Sequence, residues 1–473
     1  MSNKNRIVKL LLGPITFFLC YYLLPSSVFV SAAARSAIGT VIWMAFWWVT
    51  APVDYAVTAF LPIVINSVIK MADMNAVSAN YSSEIVILLL GASILTTSWD
   101  ETGLDKRIAT KFLSLIGCNL RHQIIFWFLL SATLSAILPN AVVCAAITPI
   151  AVSMLKYVGD TDIASSKRGS LILLTIVYAT GVGGLATPLG GAMNLVTVDY
   201  LQKVTGQEYM YTSWVIRFLP IMIVLVVSNI IYLILSCKKT DELGRSKEYF
   251  VMQYRSMPPM KREEKWSLFL FLLATVLSFS RQLYQAWLPG LKPAYIFIIC
   301  AVLSFLIRRE TNERLMIWKI VQTKVVWELI FVFGGGLAAG TLIDKSGASE
   351  AIGQAISRAD LSGGLLTVFV IVAFTVILSD VTSNTATAAV SIPIVISIVN
   401  GMGKNPIPYI YIASIGINLS YMLPTSIRAI PVGYGLSPKY MLKMGVPLTI
   451  IVIVLMTAVG YLLLTYWPAF STT

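Results

Sequence analysis

Apolar runs long enough to cross a bilayer, at about 20 residues per crossing, recur along nearly the whole chain. They cover residues 10–24, 37–50, 52–68, 82–99, 169–200 with a break, 213–236, 266–282, 293–307, 328–344, 408–435 with a break, and 444–467. Two further stretches, 122–155 and 363–399, are too long for one crossing and carry polar residues at mid-span. Polar groups at that depth must be satisfied by protein, water or ligand, so these stretches predict hairpins that dip into the membrane and return. The pattern predicts an all-α polytopic membrane protein with about eleven transmembrane helices and two re-entrant helical hairpins.

Sliding the chain over itself brings the hairpins into register. Leu134 falls on Leu378, Ser135 on Ser379, Asn140 on Asn384, Ala145 on Ala389, Pro149 on Pro393, Ile150 on Ile394 and Ser153 on Ser397. The same shift pairs Glu84 with Glu328, Gly91 with Gly335, Asp100 with Asp344 and Gly103 with Gly347. Because the segment after the first block is basic (Lys106, Arg107, Lys111, Arg121) and its counterpart is not, the two copies are expected to be inverted. Inverted repeats are the signature of secondary transporters, which alternate access around a midplane site. The acidic pairs near span ends are expected to anchor the helices at the interface.

Composition agrees with a membrane protein: 57% hydrophobic and 12% charged, against roughly 25% charged in soluble domains. The net charge of +13 does not imply nucleic acid, because the basic residues punctuate the apolar runs. With the N-terminus cytoplasmic, 25 of the 35 Lys and Arg fall in inner connections, including the 237–265 loop, and eight, Arg358 among them, fall outside. Arg217 and Arg428 remain within spans. This places the C-terminus outside the cell. Lys4, Arg6 and Lys9 precede an apolar stretch with no small-residue cleavage site, so no cleaved signal peptide is expected. Five scattered cysteines form no CxxC pair, and the single histidine, His122, leaves little for a hydrolase or a His-ligated metal. No cofactor and no metal is expected.

The chemistry lies at the interruptions. Thr382, Ser383, Asn384, Thr385 and Thr387 cluster at mid-membrane in the second hairpin, and Pro139–Asn140–Ala141 holds the same place in the first. A helix resuming after each Asn directs free N–H groups and its positive dipole end at the tip, which suits a carboxylate. Gly181, Gly183, Gly184, Thr187, Pro188, Gly190 and Gly191 break one later helix, with Asn194 opening its continuation; Pro424, Thr425, Ser426 and Pro431 break the other. Arg428 sits in that second break. An unpaired arginine at the bilayer centre costs ~2.5–3.5 kcal/mol, so a partner is required: a substrate carboxylate, Asp380, or each in turn.

At these residues the chain resembles the divalent anion/sodium symporter family, the INDY-type dicarboxylate transporters, over essentially its full length. Ser383–Asn384–Thr385 matches the family's Ser-Asn-Thr signature. The resemblance implies tips that hold the substrate's carboxylates, sodium beside the tips, and a homodimer whose transport elements move as an elevator against a scaffold. Two departures stand out. The first tip lacks the motif's serine and threonine, and where sodium-coupled members run Pro-Pro-Asn this chain reads Arg428–Ala429–Ile430. The implied branch is a sodium-independent exchanger in the cytoplasmic membrane, with Arg428 in place of a coupling sodium. Its cargo would be dicarboxylates of the succinate, malate, fumarate and 2-oxoglutarate type. A sodium-coupled dicarboxylate or citrate symporter is the alternative; an intramembrane hydrolase on Asp380 or an anion channel would not require the inverted symmetry.

The expected substrate-binding residues are Asn140, Ala141, Pro188, Gly190, Ser383, Asn384, Thr385, Thr425, Ser426 and Arg428, with Arg428 and Asp380 as coupling candidates. The expected organisation is scaffold helices in 1–80, transport elements in 81–212 and 328–443, further scaffold in 213–327, and a C-terminal helix in 444–473. Partners would be dicarboxylate anions, membrane lipid and a second copy of the chain.

Overall fold

The computed structural model describes residues 3–238, 241–357 and 363–473. Lys239 and Arg358, counted above among the loop charges, lie outside them. Among the described residues there is no β-strand, only the isolated bridges Asn119–Glu242 and Arg308–Arg314. Among the same residues, nine helical stretches are long and apolar enough to cross a membrane, and shorter apolar helices at Tyr55–Val68, Pro293–Leu306, Leu365–Val381 and Ile407–Asn418 accompany them.

One apolar run does not fold as a single crossing. Residues 52–68 form two short helices, Tyr55–Thr58 and Leu61–Val68. Between them the backbone of Ala59 packs directly on Gly335, and its carbonyl accepts from the Tyr81 hydroxyl at 2.5 Å. Pro62 then sits in the first turn of the second piece, where its missing N–H costs no helical bond.

Both hairpins form. The first pairs Leu120–Ile137 with Asn140–Tyr157, the second Leu365–Val381 with Asn384–Gly401. Pro139 makes the first tip: it disfavours helical backbone at Leu138, which is extended (φ −108°, ψ 152°), and leaves Asn140 as the first residue of the returning helix. The second tip uses a cap instead. The Ser383 hydroxyl accepts from the Ala386 N–H at 3.1 Å, an N-cap worth about 1 kcal/mol.

Each broken helix also forms. The first runs Lys167–Gly184, a 3-10 turn at Pro188–Gly190, then Ala192–Thr205. The second runs Ile407–Asn418, a non-helical stretch, a 3-10 turn at Ser426–Arg428 and a short helix Ala429–Gly433. Arg428 thus closes the turn that follows the break. The turn begins at Ser426, whose φ of 53° lies in the left-handed region.

The two copies run in opposite directions. Helix Glu84–Thr102 ends where helix Trp327–Lys345 begins, since Lys324 Nζ stands 2.5 Å from Asp100 and 2.7 Å from Glu101. At the other end Glu84 pairs with Lys292 at 2.8 Å. Asp344 pairs with Lys345 at 3.4 Å, and Glu328 accepts from the Tyr55 N–H at 3.0 Å. All four acidic residues thus lie near helix ends, each in a polar contact. The symmetry reaches single hydrogen bonds. Ser135 donates to the Thr180 carbonyl at 2.7 Å, and its counterpart Ser379 donates to the Ile417 carbonyl at 2.6 Å, so each hairpin is fastened to its own broken helix in the same way.

Candidate functional site

The four interrupted elements interlock. The first hairpin meets the second broken helix, with Cys144 Sγ 3.7 Å from the Ile427 carbonyl. The second hairpin packs on the continuation of the first broken helix, Ala192–Thr205. The two broken helices are tied to one another. Asn418 donates to the Asn194 side chain at 2.9 Å, Thr197 to Ser414 at 3.1 Å, and Tyr178 to the Tyr421 carbonyl at 2.9 Å. Asn194 in turn donates to the Gly184 and Thr187 carbonyls at 2.7 and 2.9 Å, filling acceptors that the break leaves open.

Arg428 is fully enclosed, 1% exposed, as is Asp380. Its Nε donates to the Leu423 carbonyl at 2.6 Å and Nη1 to the Ser420 hydroxyl. Nη2 faces the Ser379 and Asp380 carbonyls at 3.2 and 3.4 Å and the Thr425 hydroxyl at 2.5 Å. The Asp380 carboxylate is 4.0 Å away, with Oδ1 already accepting from the Tyr421 and Met422 N–H groups at 2.8 Å each. The guanidinium therefore joins the end of the second hairpin's first arm to the unwound stretch, and most of its partners are uncharged oxygens. It points neither to lipid nor to bulk solvent.

The tips carry unspent polar groups. Asn384 is 4% exposed; its Oδ1 lies 3.4 Å from the Ser420 hydroxyl, while its Nδ2 is buried without a partner. Thr385 lies beside it, buried, whereas Thr382 and Thr387 satisfy each other at 2.6 Å within the hairpin. Asn140, also buried, stands against Gly184 and Gly191, where a Cβ would meet it at 3.5 and 3.8 Å. Ala141 and Ser426 are exposed and Thr425 half-buried. Pro188 and Gly190 are buried in packing. A Cβ at Gly190 would collide with the carbonyls of Gly184 and Ser135, so this glycine permits the close approach of the break to the hairpin. Ser420, Asn418 and the Leu423 carbonyl belong to the same cluster. The polar residues inside the 408–435 apolar run were the signal for the first two.

Two cavities flank this cluster, related by the repeat. One, about 660 Å³, is lined by Asp100, Lys106, Lys324 and, on the first hairpin, Val142, Ala145 and Pro149. The other, about 630 Å³, is lined by Lys203, Asp344, Lys345, Ser349, Pro393 and Ser397. They open on opposite faces. Helix Trp327–Lys345 starts beside the first and ends in the second, roughly 28 Å away for 19 residues. The first is on the more basic face and reaches within two residues of Asn140. On the second, hairpin residues begin only at Pro393, because Ala386 and Ala389, the counterparts of Val142 and Ala145, are each 1% exposed, with Ala389 packed on Gly336. Among the described residues no group of three or more His, Cys, Asp or Glu is placed to hold a metal ion.

Residues 45–416 match the pattern of the citrate transporter family, CitMHS. The sodium-dependent dicarboxylate transporter SdcS of Staphylococcus saprophyticus is 29% identical over 98% of this chain and 92% of its own length. The Staphylococcus aureus protein of that name is 28% identical over 97% and 91%. Among solved structures, the Alcanivorax borkumensis YdaH transporter shares the fold at a TM-score of 0.53 and 11% identity, covering 84% of this chain and 88% of that one. The Neisseria gonorrhoeae MtrF pump does so at 0.51 and 12%, covering 95% and 97%. With the family pattern spanning most of its length and its helices forming this inverted pair of hairpins and broken helices, the chain belongs to the citrate transporter family and is an integral membrane transporter.

Proposed function

We propose that this protein exchanges one four- or five-carbon dicarboxylate for another across the cytoplasmic membrane, with Arg428 taking the place of a coupling sodium. The observation that carries this reading is the cage around the guanidinium. Three main-chain carbonyls and two hydroxyls converge on it, the kind of neutral oxygen set that holds a desolvated monovalent cation. This cation is covalently attached. A carrier whose positive charge cannot dissociate has no gradient to couple to except that of its own substrate.

Substrate carboxylates would bind at the two tips, against Asn140 and Ala141 on one side and Ser383, Asn384 and Thr385 on the other, with Thr425 and Ser426 at the rim. The helices that start at Asn140 and Asn384 direct their N-terminal N–H groups there. Leaving such donors bare while the site crosses a dry interface costs about 1–3 kcal/mol for each buried group. The loaded carrier escapes that cost, which favours obligate exchange. The hairpins and broken helices would move together as the transport elements of 81–212 and 328–443, past scaffold helices of 1–80 and 213–327, in an elevator-type homodimer. The basic face would be cytoplasmic.

In proteoliposomes, radiolabelled succinate should enter only when the lumen holds a dicarboxylate, and at a rate indifferent to sodium. Entry into vesicles without internal dicarboxylate, driven by a sodium gradient, would refute exchange. Asn384→Ala should raise the half-saturating succinate concentration about thirtyfold, the loss of roughly 2 kcal/mol from one hydrogen bond to a charged group, with smaller change for Ser426→Ala. A counterflow titration reads both.

The second reading is a sodium-coupled symporter, favoured by the name of the staphylococcal relatives. The same vesicle experiment separates it, since symport requires sodium and no internal substrate.

A further inference from the structure

The two vestibules are alike in volume and unlike in charge: Lys106 and Lys345, one in each, have oppositely charged counterparts in Glu350 and Glu101, and at one further position a carboxyl in one copy answers a hydroxyl in the other. Asp105 lines the vestibule of the basic face, only 9% exposed, with Oδ1 buried and without a hydrogen-bond partner. Its repeat counterpart is Ser349, which lines the opposite vestibule and shares a 2.8 Å hydrogen bond with Ser397. A titratable group therefore faces the substrate path on one side of the protein, where the other side has a satisfied hydroxyl.

The surroundings of Asp105 make that group responsive. Burial raises its carboxyl above the usual aspartate range, and the neighbouring Asp100 adds to the effect, while Lys106 and main-chain N–H groups oppose it. From helix Glu84–Thr102 it is faced by Asp100, and from the segment before helix Trp327–Lys345 by Lys324, which Asp100 and Glu101 already hold at 2.5 and 2.7 Å. Tyr434 and the hydroxyls of Ser93, Thr96 and Thr97 complete the polar lining. The first hairpin contributes only uncharged residues to this wall, and Arg107, two positions along Asp105's own helix, is turned away to Glu264 at 2.9 Å. Lys106 forms no ion pair among the described residues, so its charge in the vestibule is offset chiefly by Asp105.

We propose that Asp105 makes the basic-face vestibule, and not the opposite one, an acid-responsive docking point for dicarboxylates: protonated, it leaves Lys106 free to attract the anion; ionised, it repels it. The step is the uptake of one proton from water by the Asp105 carboxylate, with no bond made to substrate. This rests on the chain carrying dicarboxylates. It adds that affinity on one face alone is set by pH on that face.

The test uses the full-length protein in sealed membrane vesicles of known sidedness, with pH clamped separately on each side and fumarate as substrate, its half-saturating concentration expressed at every pH for the doubly ionised form so that the substrate's own titration is divided out. Lowering the pH on the Asp105 face should lower the half-saturating fumarate concentration on that face roughly three- to tenfold, the effect of removing one nearby negative charge across a partly aqueous gap. The same change on the opposite face should do nothing. Asp105→Asn should hold the low value at every pH, and Asp105→Glu should restore the response. A response of equal size on both faces, no response, or a response that survives in Asp105→Asn overturns the proposal. Should Asp105→Asn fail to assemble, the wild-type comparison between faces still decides. Absence of fumarate movement at any pH would instead defeat the dicarboxylate reading itself.

Discussion

Arg428→Ala is expected to abolish counterflow of dicarboxylates and to lower stability by about 3–5 kcal/mol, the usual cost of removing one partner from a buried ion pair. Two losses combine. The Asp380 carboxylate, 1% exposed, is left with two N–H groups and no cation within reach. The carbonyls of Leu423, Ser379 and Asp380 lose their donor together with the hydroxyls of Ser420 and Thr425. The double variant Arg428→Ala/Asp380→Asn separates these effects. Removing both charges should recover most of the thermal stability, because no uncompensated charge remains buried, while exchange stays absent. Arg428→Lys should recover little transport, since one ammonium cannot span acceptors arranged for a planar fork. Thermal melts in detergent and counterflow in liposomes read the two properties apart. Strict exchange at the wild-type rate in Arg428→Ala would remove this residue from the mechanism.

The second large effect is expected of Gly336→Val: transport should fall at least tenfold while substrate still binds. A Cβ at Gly336 would collide with that of Ala389, so the added methyls force the second hairpin away from helix Trp327–Lys345 by overpacking, at a cost of about 1–3 kcal/mol. That contact is what closes the shallow vestibule below Pro393. The counterpart position in the first copy is Ala92, and there Ala145, the counterpart of Ala389, is exposed to the deep vestibule. The variant should therefore loosen the sealed side, and a cysteine placed at Ala389 should gain reactivity toward a water-soluble thiol reagent from that side. Normal turnover with an unreactive cysteine would show that this contact does not hold the vestibule shut.

Much of the architecture was legible because a bilayer penalises polar groups so heavily that each interruption of an apolar run must have a reason. Asn140 and Asn384 at the same offset, and the glycines around Gly184, were visible for that cause. What was not legible is equally physical. The partners of Arg428 are mostly main-chain carbonyls, which every residue has, so no side-chain pattern could name Leu423 or Ser379 as the cage; Asp380 was foreseen because its side chain is ionisable. The run at 52–68 looked like a crossing because its apolar content is sufficient, and only the close approach of Ala59 to Gly335 shows why it is divided. The difference in depth between the vestibules could not be read at all. It arises from how two nearly equivalent halves settle against one another, and sequence symmetry carries no information about which half is open.

The amide clasp between Asn194 and Asn418 has a bearing on selectivity. Because it locks both broken helices into one part, and each hairpin is fastened to its own broken helix, the spacing of the two tips is fixed before any ligand arrives, in the manner of a caliper with its jaws screwed tight. If the tips grip carboxylates as proposed, such a gauge would measure length rather than chemistry: diacids whose ends fall at the set span would be accepted with little regard for what lies between them, and longer chains would have to buckle to fit.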